Sequence, residues 1–527
     1  MRHNTKTPAI NMFRSTIALL FLTVSVCAQP RITKQAFIVN GKPFLVLGGE
    51  LGNSSASSEA YMKPLWPKFG AMHLNTILSP VYWELMEPTE GRFDFSQVDM
   101  IIKNARVHQL KVVLLWFGSW KNSMSCYAPA WVKQDQQRFP RAGQGLEILS
   151  AFDDHNLQAD IRAFKALMKH IKEMDAVQQT VILVQVENEV GLLTEAREHT
   201  PQANALFEQP VPTVLVDYLV QHKDSLVPEL RARWEARDGN WEHMFGKSLE
   251  TDEIFQAWYY ARYVNAVASA GKSVYNLPMY VNAALNYKNV KPGQYPSAGP
   301  LPQVMDIWQA GAPAIDMLSP DFYNPYFRRY CDLYNRRNNT FFIPEIRFEP
   351  GDAAKVFLAI GHYKSLGFSP FSLEETEHPG SEPVAKSYDL LRQLTPLILT
   401  HKPMEGFLVE KGAPPQTIQL GKYKITVDHE LTLGWSRGAK DSTWAMGGGL
   451  IIQTGEDEFV VAGTGIVCTF SLDQGTVGIL STDEGRFENG VWIAGRRMNG
   501  DQDHQGRHVR ISSGEWGIQK VRLYSYQ

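Results

Sequence analysis

The sequence predicts a (β/α)8 barrel followed by a smaller C-terminal β-sandwich. Three observations carry this. Eight short apolar runs recur between residues 44 and 372, most of them followed by a helix-like stretch. Their hydrophobicity is continuous rather than alternating, the mark of parallel strands covered on both faces. From about residue 410 the pattern changes to short alternating runs broken by Gly, Asp and Asn turns.

The eight runs are FLVLGGE, NTILSPVYWE, KVVLLWFGSW, VILVQVENE, MYVNAA, IDMLSPDFYN, FFIPEI and FSPFSLEE, the number a (β/α)8 barrel requires. Helical patterns lie between them. In NLQADIRAFKALMKHIKEM, Leu157, Ile161, Phe164, Leu167, Met168 and Ile171 share one side and the charges the other. In TDEIFQAWYYARYVNAVASA, Thr251 is placed to cap, with Asp252 and Glu253 suited to the N-terminal dipole. The segment from about 192 to 250 is too long for a simple connection and holds EQPVPT, Trp234 and Trp241. It predicts a helical insertion over the C-terminal face of the barrel, where loops carry function, walling the mouth into a pocket.

After LTPLILTHKPMEG come TIQLGKYKITVDHE, GLIIQTGEDEFVVAGTGIVCTFSL, VGILSTDEGRFENGVWIAG and GIQKVRLYSY, which predict a sandwich of about 115 residues. The expected division is a leader over residues 1–28, a barrel over 29–400 and the sandwich over 401–527.

The leader rests on Arg2, Lys6 and Arg14 without an acid, then the apolar STIALLFLTVSV and CAQP, a pattern for export with cleavage after Ala28. The run is short for a membrane span, and Val26 before Cys27 is bulkier than a lipidation site favours. The expected location is periplasmic or extracellular. Removing the leader leaves 49 basic against 55 acidic side chains, a charge near −6 that does not recruit nucleic acid. Cys126, Cys331 and Cys468 remain, an odd and widely spaced set that makes no disulfide framework. The 44% apolar composition instead supports large cores.

In a barrel of this kind, side chains at the C-terminal strand ends converge on one site. The fourth run ends in Glu187, Asn188 and Glu189, and the seventh, TFFIPEIRFEP, carries Glu345 after Pro344. Two carboxylates across one mouth are what glycosidic cleavage requires, one protonating the leaving oxygen while the other attacks or activates water. Strand alternation selects Glu189, the last before the loop, to project furthest into the mouth, and leaves Glu187 a structural role.

An Asn-Glu pair ending the fourth strand with a Glu ending the seventh resembles the clan of retaining glycoside hydrolases with (β/α)8 barrels. VYWELMEPTEGRFDFSQVDMIIKNARVHQLKVVLLWFGSW resembles the second-to-third-strand region of family 35 and family 42 β-galactosidases, and GKPFLVLGGELGNSS the first strand of family 35. The resemblance implies an exo-acting β-galactosidase that removes terminal β-linked galactose from oligo- or polysaccharides without metal or cofactor. It implies Glu189 as general acid/base, Glu345 as nucleophile, Asn188 as donor to the sugar 2-hydroxyl and Tyr323 as a hydrogen-bond partner of the nucleophile. The chain departs from the family at the first strand, GGELGNSS, and at the third-strand turn, SMSCYAPAW. Glu50, Asn53, Trp116 and Asn282 stand at strand ends and are the candidates for holding the sugar.

Other readings compete. Glu349 is a rival nucleophile unless it pairs on the surface with Arg347. Trp83, Trp116 and Trp120 are stacking platforms for a pyranose or simply core, with Trp116 the one placed to act. Glu84 and Glu87 fix a loop. His155, His170 and His362 stand alone, without metal-ligand spacing, and Cys126 lacks a partner His. Trp435, Trp444, Trp492 and Trp516 bind polysaccharide or pack the sandwich on the barrel, the second being favoured. Another glycosidase of the clan, or a barrel that only binds sugar, are the alternative functions.

Overall fold

The structure is a computed structural model that describes residue 1 and residues 29–33, 36–235, 238–400, 402–498, 500 and 506–527. Apart from Met1, the expected leader lies outside the described residues.

Eight parallel strands close into a barrel, one from each predicted run: β1 Val46–Glu50, β2 Thr76–Tyr82, β3 Lys111–Lys121, β4 Val181–Asn188, β5 Met279–Ala284, β6 Met317–Phe322, β7 Ile343–Arg347 and β8 Gly367–Phe371. Neighbours follow chain order and β8 closes on β1, with Gly367 opposite Val46 and Phe371 opposite Glu50. All eight residues of β4 are buried, as helices outside and side chains inside demand of an unbroken apolar strand.

Two long helices, α1 Asp154–Asp175 and α2 Leu249–Val274, pack on each other outside β3 and β4. Asp153 caps α1 by accepting from the N–H groups of His155 and Asn156, and Phe164, Leu167, Met168 and Ile171 form its buried side. The cap of α2 is Ser248 rather than Thr251, because the helix starts at Leu249. Thr251 sits inside the first turn, where its hydroxyl donates to the carbonyls of Phe245 and Gly246. Between β4 and α2, four short helices occur among the described residues: Pro201–Phe207, Thr213–His222, Pro228–Arg233 and Trp241–Phe245.

The C-terminal residues form two facing antiparallel sheets, of six and four strands among the described residues. In spatial order the larger holds Met404–Val409, Gly447–Gly455, Glu458–Thr464, Gly517–Tyr526, Thr476–Glu488 and Val491–Arg497. The smaller holds Gln416–Leu420, Tyr423–His429, Ile466–Ser471 and Val509–Ile511. Alternate residues such as Tyr423, Ile425 and Val427 bury into a shared core with Phe407, Ile451, Phe459 and Val461. The expected β-sandwich is therefore present.

Its outer face is not solvent. Leu408, Leu450, Ile452, Val460 and Ile518 join the core of the barrel, under the helices α3 Asp352–Gly361 and α4 Pro383–Ile398. Close approach depends on glycine: a Cβ on Gly406 would stand 2.1 Å from the Phe357 carbonyl oxygen, and one on Gly361 would stand 2.5 Å from the Gly406 Cα. The Trp516 indole N–H donates to Ser387 Oγ of α4 at 3.0 Å, and Trp492 packs on the same core. These two tryptophans pack the sandwich on the barrel, whereas Trp435 is exposed. Among the described residues no helix is long and apolar enough to cross a membrane.

Candidate active site

The end of β4 departs from regular strand geometry. Glu187 and Glu189 both hold left-handed backbone, φ 62° and 44°, a conformation that costs a non-glycine residue about 1 kcal/mol or more. The two turns send the carboxyls to opposite sides. Glu187 lies in the barrel wall, fully buried, and accepts from the Trp120 backbone N–H at 2.9 Å. There it lies beside the buried Asp160 carboxyl of α1, and two carboxyls buried together do not both ionise. Asp160 also accepts from Trp116 Nε1 at 2.9 Å and Ser119 Oγ at 2.6 Å. Burial, then the neighbouring Asp160 charge, holds the Glu187 carboxyl well above the usual range.

This pair anchors the kinked strand end. Glu187→Ala leaves the Trp120 N–H and the Asp160 carboxyl without their partner, so unfolding free energy is expected to drop by about 1–3 kcal/mol. Glu187→Gln, able to accept from Trp120 and donate to Asp160, is expected to lose less. Urea denaturation of both variants measures the difference, and equal losses would remove the pair from this role.

Glu189 turns the other way, its N–H held by Asn282 Oδ1 at 2.9 Å. It meets three other buried carboxyls: Glu50 at the end of β1, Asp321 of β6 and Glu345 of β7. Asp321 stands opposite Glu345 across β6 and β7, and accepts from Asn282 Nδ2 at 2.6 Å. Tyr323 donates its hydroxyl to Glu345 Oε1, with the Arg347 guanidinium 5.5 Å over its ring. The Glu50 carboxyl lies beside that of Glu345, and Asp321 beside Glu189.

One cation faces this group among the described residues that interact with it. Lys121, the last residue of β3, is buried and donates from Nζ to Asn188 Oδ1 at 2.6 Å. An ammonium only donates, so this bond fixes the Asn188 amide with Nδ2 pointing away from Lys121. That Nδ2 is buried and has no hydrogen-bond partner.

Burial is the largest cause of the charge states here. It raises the Glu189 carboxyl to about 7, with the Glu345 charge adding, while Lys121 and the neighbouring Asp321 oppose. Burial, then the Glu345 charge, holds Glu50 and Asp321 well above the usual carboxylate range. Such a site retains protons instead of gathering four negative charges.

Of the residues named from sequence, Glu50, Glu189 and Glu345 come together, with Asn188 joined through Lys121 and Tyr323 on Glu345. Asn53 is half-buried with an unpartnered Oδ1, on a loop held where Glu374 accepts from Gly52 N–H at 2.8 Å. Asn282 sits at the site but is engaged in building it: its Oδ1 accepts from the Glu189 N–H and its Nδ2 donates to Asp321. Trp116 does not reach the mouth: it is fully buried in the wall, bonded to Asp160 and packed on Trp83 and Phe164. Its strand face points to the helices, beside Glu187.

Trp83 and Trp120 are also buried, Trp120 edge-on to Tyr260 and Tyr263. Glu349, the rival to Glu345, is outside the group and pairs with Lys355, not Arg347. Glu87 accepts from Trp83 Nε1 and Gly91 N–H, both at 2.8 Å, and Glu84 pairs with Lys133 at 3.2 Å, so both tie down their loop. Cys126 is buried, which pushes its thiol up. Lys121 and Asp321 were missed from sequence. Their signal was a charged side chain inside the otherwise apolar runs of GSWK and SPDF.

Residues 36–225 match the family model for glycosyl hydrolases family 35, and residues 384–510 match a domain of unknown function, DUF5597. A β-galactosidase from Xanthomonas manihotis is 27% identical over 215 residues, 37% of this chain and 34% of that protein. The human protein described as beta-galactosidase-1-like protein 3 is 28% identical over 192 residues, 35% of this chain and 27% of that protein. The chain thus spans about a third of the length of these curated relatives. Among solved structures, a β-galactosidase from Rahnella sp. R3 aligns with a TM-score of 0.46 at 15% identity, over 67% of this chain and 57% of that one. The family 35 match over residues 36–225 thus takes in the first four strands of the closed eight-stranded barrel.

Proposed function

We propose that the protein is a retaining β-galactosidase that removes terminal β-linked galactose from oligo- or polysaccharides. The observation that carries this reading is the opposition of Glu189 and Glu345 in one buried mouth, Glu189 retaining its proton and Glu345 accepting from Tyr323. The family 35 match over residues 36–225 and the β-galactosidase relatives support the sugar and the retention of configuration.

Glu345 attacks the anomeric carbon while Glu189 gives its proton to the departing oxygen. The Asn188 Nδ2 donates to the sugar 2-hydroxyl, a bond that tightens as positive charge develops at the ring. Forming the ester removes the Glu345 charge that had helped raise Glu189, so the same carboxyl then takes a proton from the incoming water. Water attack releases galactose and restores the Glu345 carboxylate.

The sign of the pH dependence follows. The first step needs protonated Glu189, so kcat/KM is expected to fall as pH rises through about 7, the value to which its burial and Glu345 raise it. The test is hydrolysis of aryl β-D-galactoside beside its gluco, manno and fuco analogues across pH, with the released anomer identified by proton NMR. Turnover of another sugar replaces the specificity, release of the α-anomer rejects retention, and turnover of none rejects the enzymatic reading.

A further inference from the structure

Resting on that reading, we propose that the Lys121 ammonium is the fixed counter-charge for one negative charge that moves from Glu345 to Glu189 and back. Lys121 is thereby a positioning residue that balances both halves of the reaction.

A buried site holds little net charge. Glu345 accepts from the Tyr323 hydroxyl and lies beside the buried Glu50 carboxyl, while the buried Asp321, opposite Glu345 across β6 and β7, lies beside Glu189. Carboxyls buried against one another do not all ionise, and burial holds Glu50 and Asp321 well above the usual carboxylate range. With Glu189 protonated for its acid role, the carboxylate the reaction requires is the nucleophile, Glu345. One ammonium and one carboxylate then leave the mouth neutral, as burial favours.

A Glu345 oxygen forms the bond to the anomeric carbon, the bond to the departing oxygen breaks, and that oxygen takes the Glu189 proton. Glu345 is now a neutral ester and Glu189 a carboxylate. In the second half the water oxygen bonds to the anomeric carbon, its proton passes to Glu189, and the electron pair of the ester bond returns to Glu345. The negative charge has moved from β7 to β4 and back, and Glu50 and Asp321 have kept their protons throughout.

Lys121 is built to remain in place while this happens. It ends β3, next to β4, and is buried with its ammonium 5.1 Å from the Phe117 ring centroid. Its bond to Asn188 Oδ1 ties it to the strand that carries Glu189. It acts electrostatically on Glu50, Glu189 and Asp321, favouring the charged form of each. The groups that face Glu189 are Glu345, Asp321 and Lys121, and Lys121 is the cation among them.

The test compares wild type, Lys121→Gln and Lys121→Arg on an aryl β-galactoside and its 2-deoxy counterpart across pH, with a melting curve for each. Gln keeps an N–H donor on the Asn188 side, one bond shorter than Lys, but carries no charge. Lys121→Gln is expected to lower kcat by ~10²-fold and to move the basic limb upward by ~1 pH unit or more, whereas Arg keeps the limb in place. The loss is expected to persist on the 2-deoxy substrate, where the Asn188 contact is absent. A basic limb that does not move, or a loss that vanishes on the 2-deoxy substrate, overturns the proposal and leaves the galactosidase reading standing. Wild type inert on every glycoside overturns both. Where the Gln variant melts too early to assay, Lys121→Met, which keeps an aliphatic chain against Phe117, provides the same comparison with the same outcomes.

Discussion

Glu345→Gln is expected to lower kcat for an aryl β-galactoside by about 10⁵-fold, with little change in melting temperature. Gln has the shape of the carboxyl it replaces and keeps an oxygen to accept from Tyr323, so the mouth stays assembled. What disappears is the only group in that position able to form the ester. A good leaving group cannot compensate, because the loss lies in attack and not in protonation. Glu345→Gly separates the two further: removing the side chain opens space for a small anion such as azide, which attacks from the vacated side and yields the α-glycosyl azide. Glu349→Gln is expected to remain near wild type, since Glu349 lies outside the group and pairs with Lys355. Near-wild-type activity in Glu345→Gln, or a collapse in Glu349→Gln, would reverse the assignment of the nucleophile.

The strands were legible because burial on both faces writes itself as unbroken apolar runs, and carboxyls leaving such runs are conspicuous. The same property hid the direction of Trp116. A strand that is apolar on both faces offers no polar alternation to tell the mouth from the wall, and the register of β3 against β4 also shifts between Trp116 and Lys121. Alternation was used to choose between Glu187 and Glu189, but a regular strand puts residues two apart on one face; their separation comes from two left-handed residues, which sequence does not announce at Glu. Lys121 and Asp321 acquire meaning only when β3 and β6 are brought around one barrel. Each alone resembles a polar flank. Asn282 shows the converse: a polar strand residue that looked available is used to hold Glu189 and Asp321. Ser248 and Thr251 differ by three positions, and which of them caps depends on where the insertion delivers the chain.

Replacing Glu189 by Ala should produce a loss that depends on the substrate, unlike any change at Glu345. Protonation by a positioned acid contributes roughly 10²–10⁴-fold, and all of it is at stake when the departing oxygen belongs to another sugar. An activated phenol leaves with little help, so the first half-reaction on such a substrate is expected to survive. The second half still lacks its base. The glycosyl-enzyme on Glu345 should therefore accumulate, seen as a rapid burst of phenol followed by slow turnover and a lowered KM. Azide does not need a base to attack, so adding it should restore turnover and give the β-galactosyl azide, because the attack replaces water in a retaining sequence. The fall in kcat/KM through about pH 7 should vanish with the carboxyl whose raised affinity for a proton causes it. Glu187→Gln gives the contrast on the same strand: that carboxyl faces the wall, so its replacement should leave the dependence on leaving group and the basic limb as they are. If the burst and the azide product instead follow Glu187, the two carboxyls around Asn188 have exchanged roles. Should neither appear in either variant, the galactosyl ester does not form, and the pair of Glu189 and Glu345 would have to work by direct displacement with water.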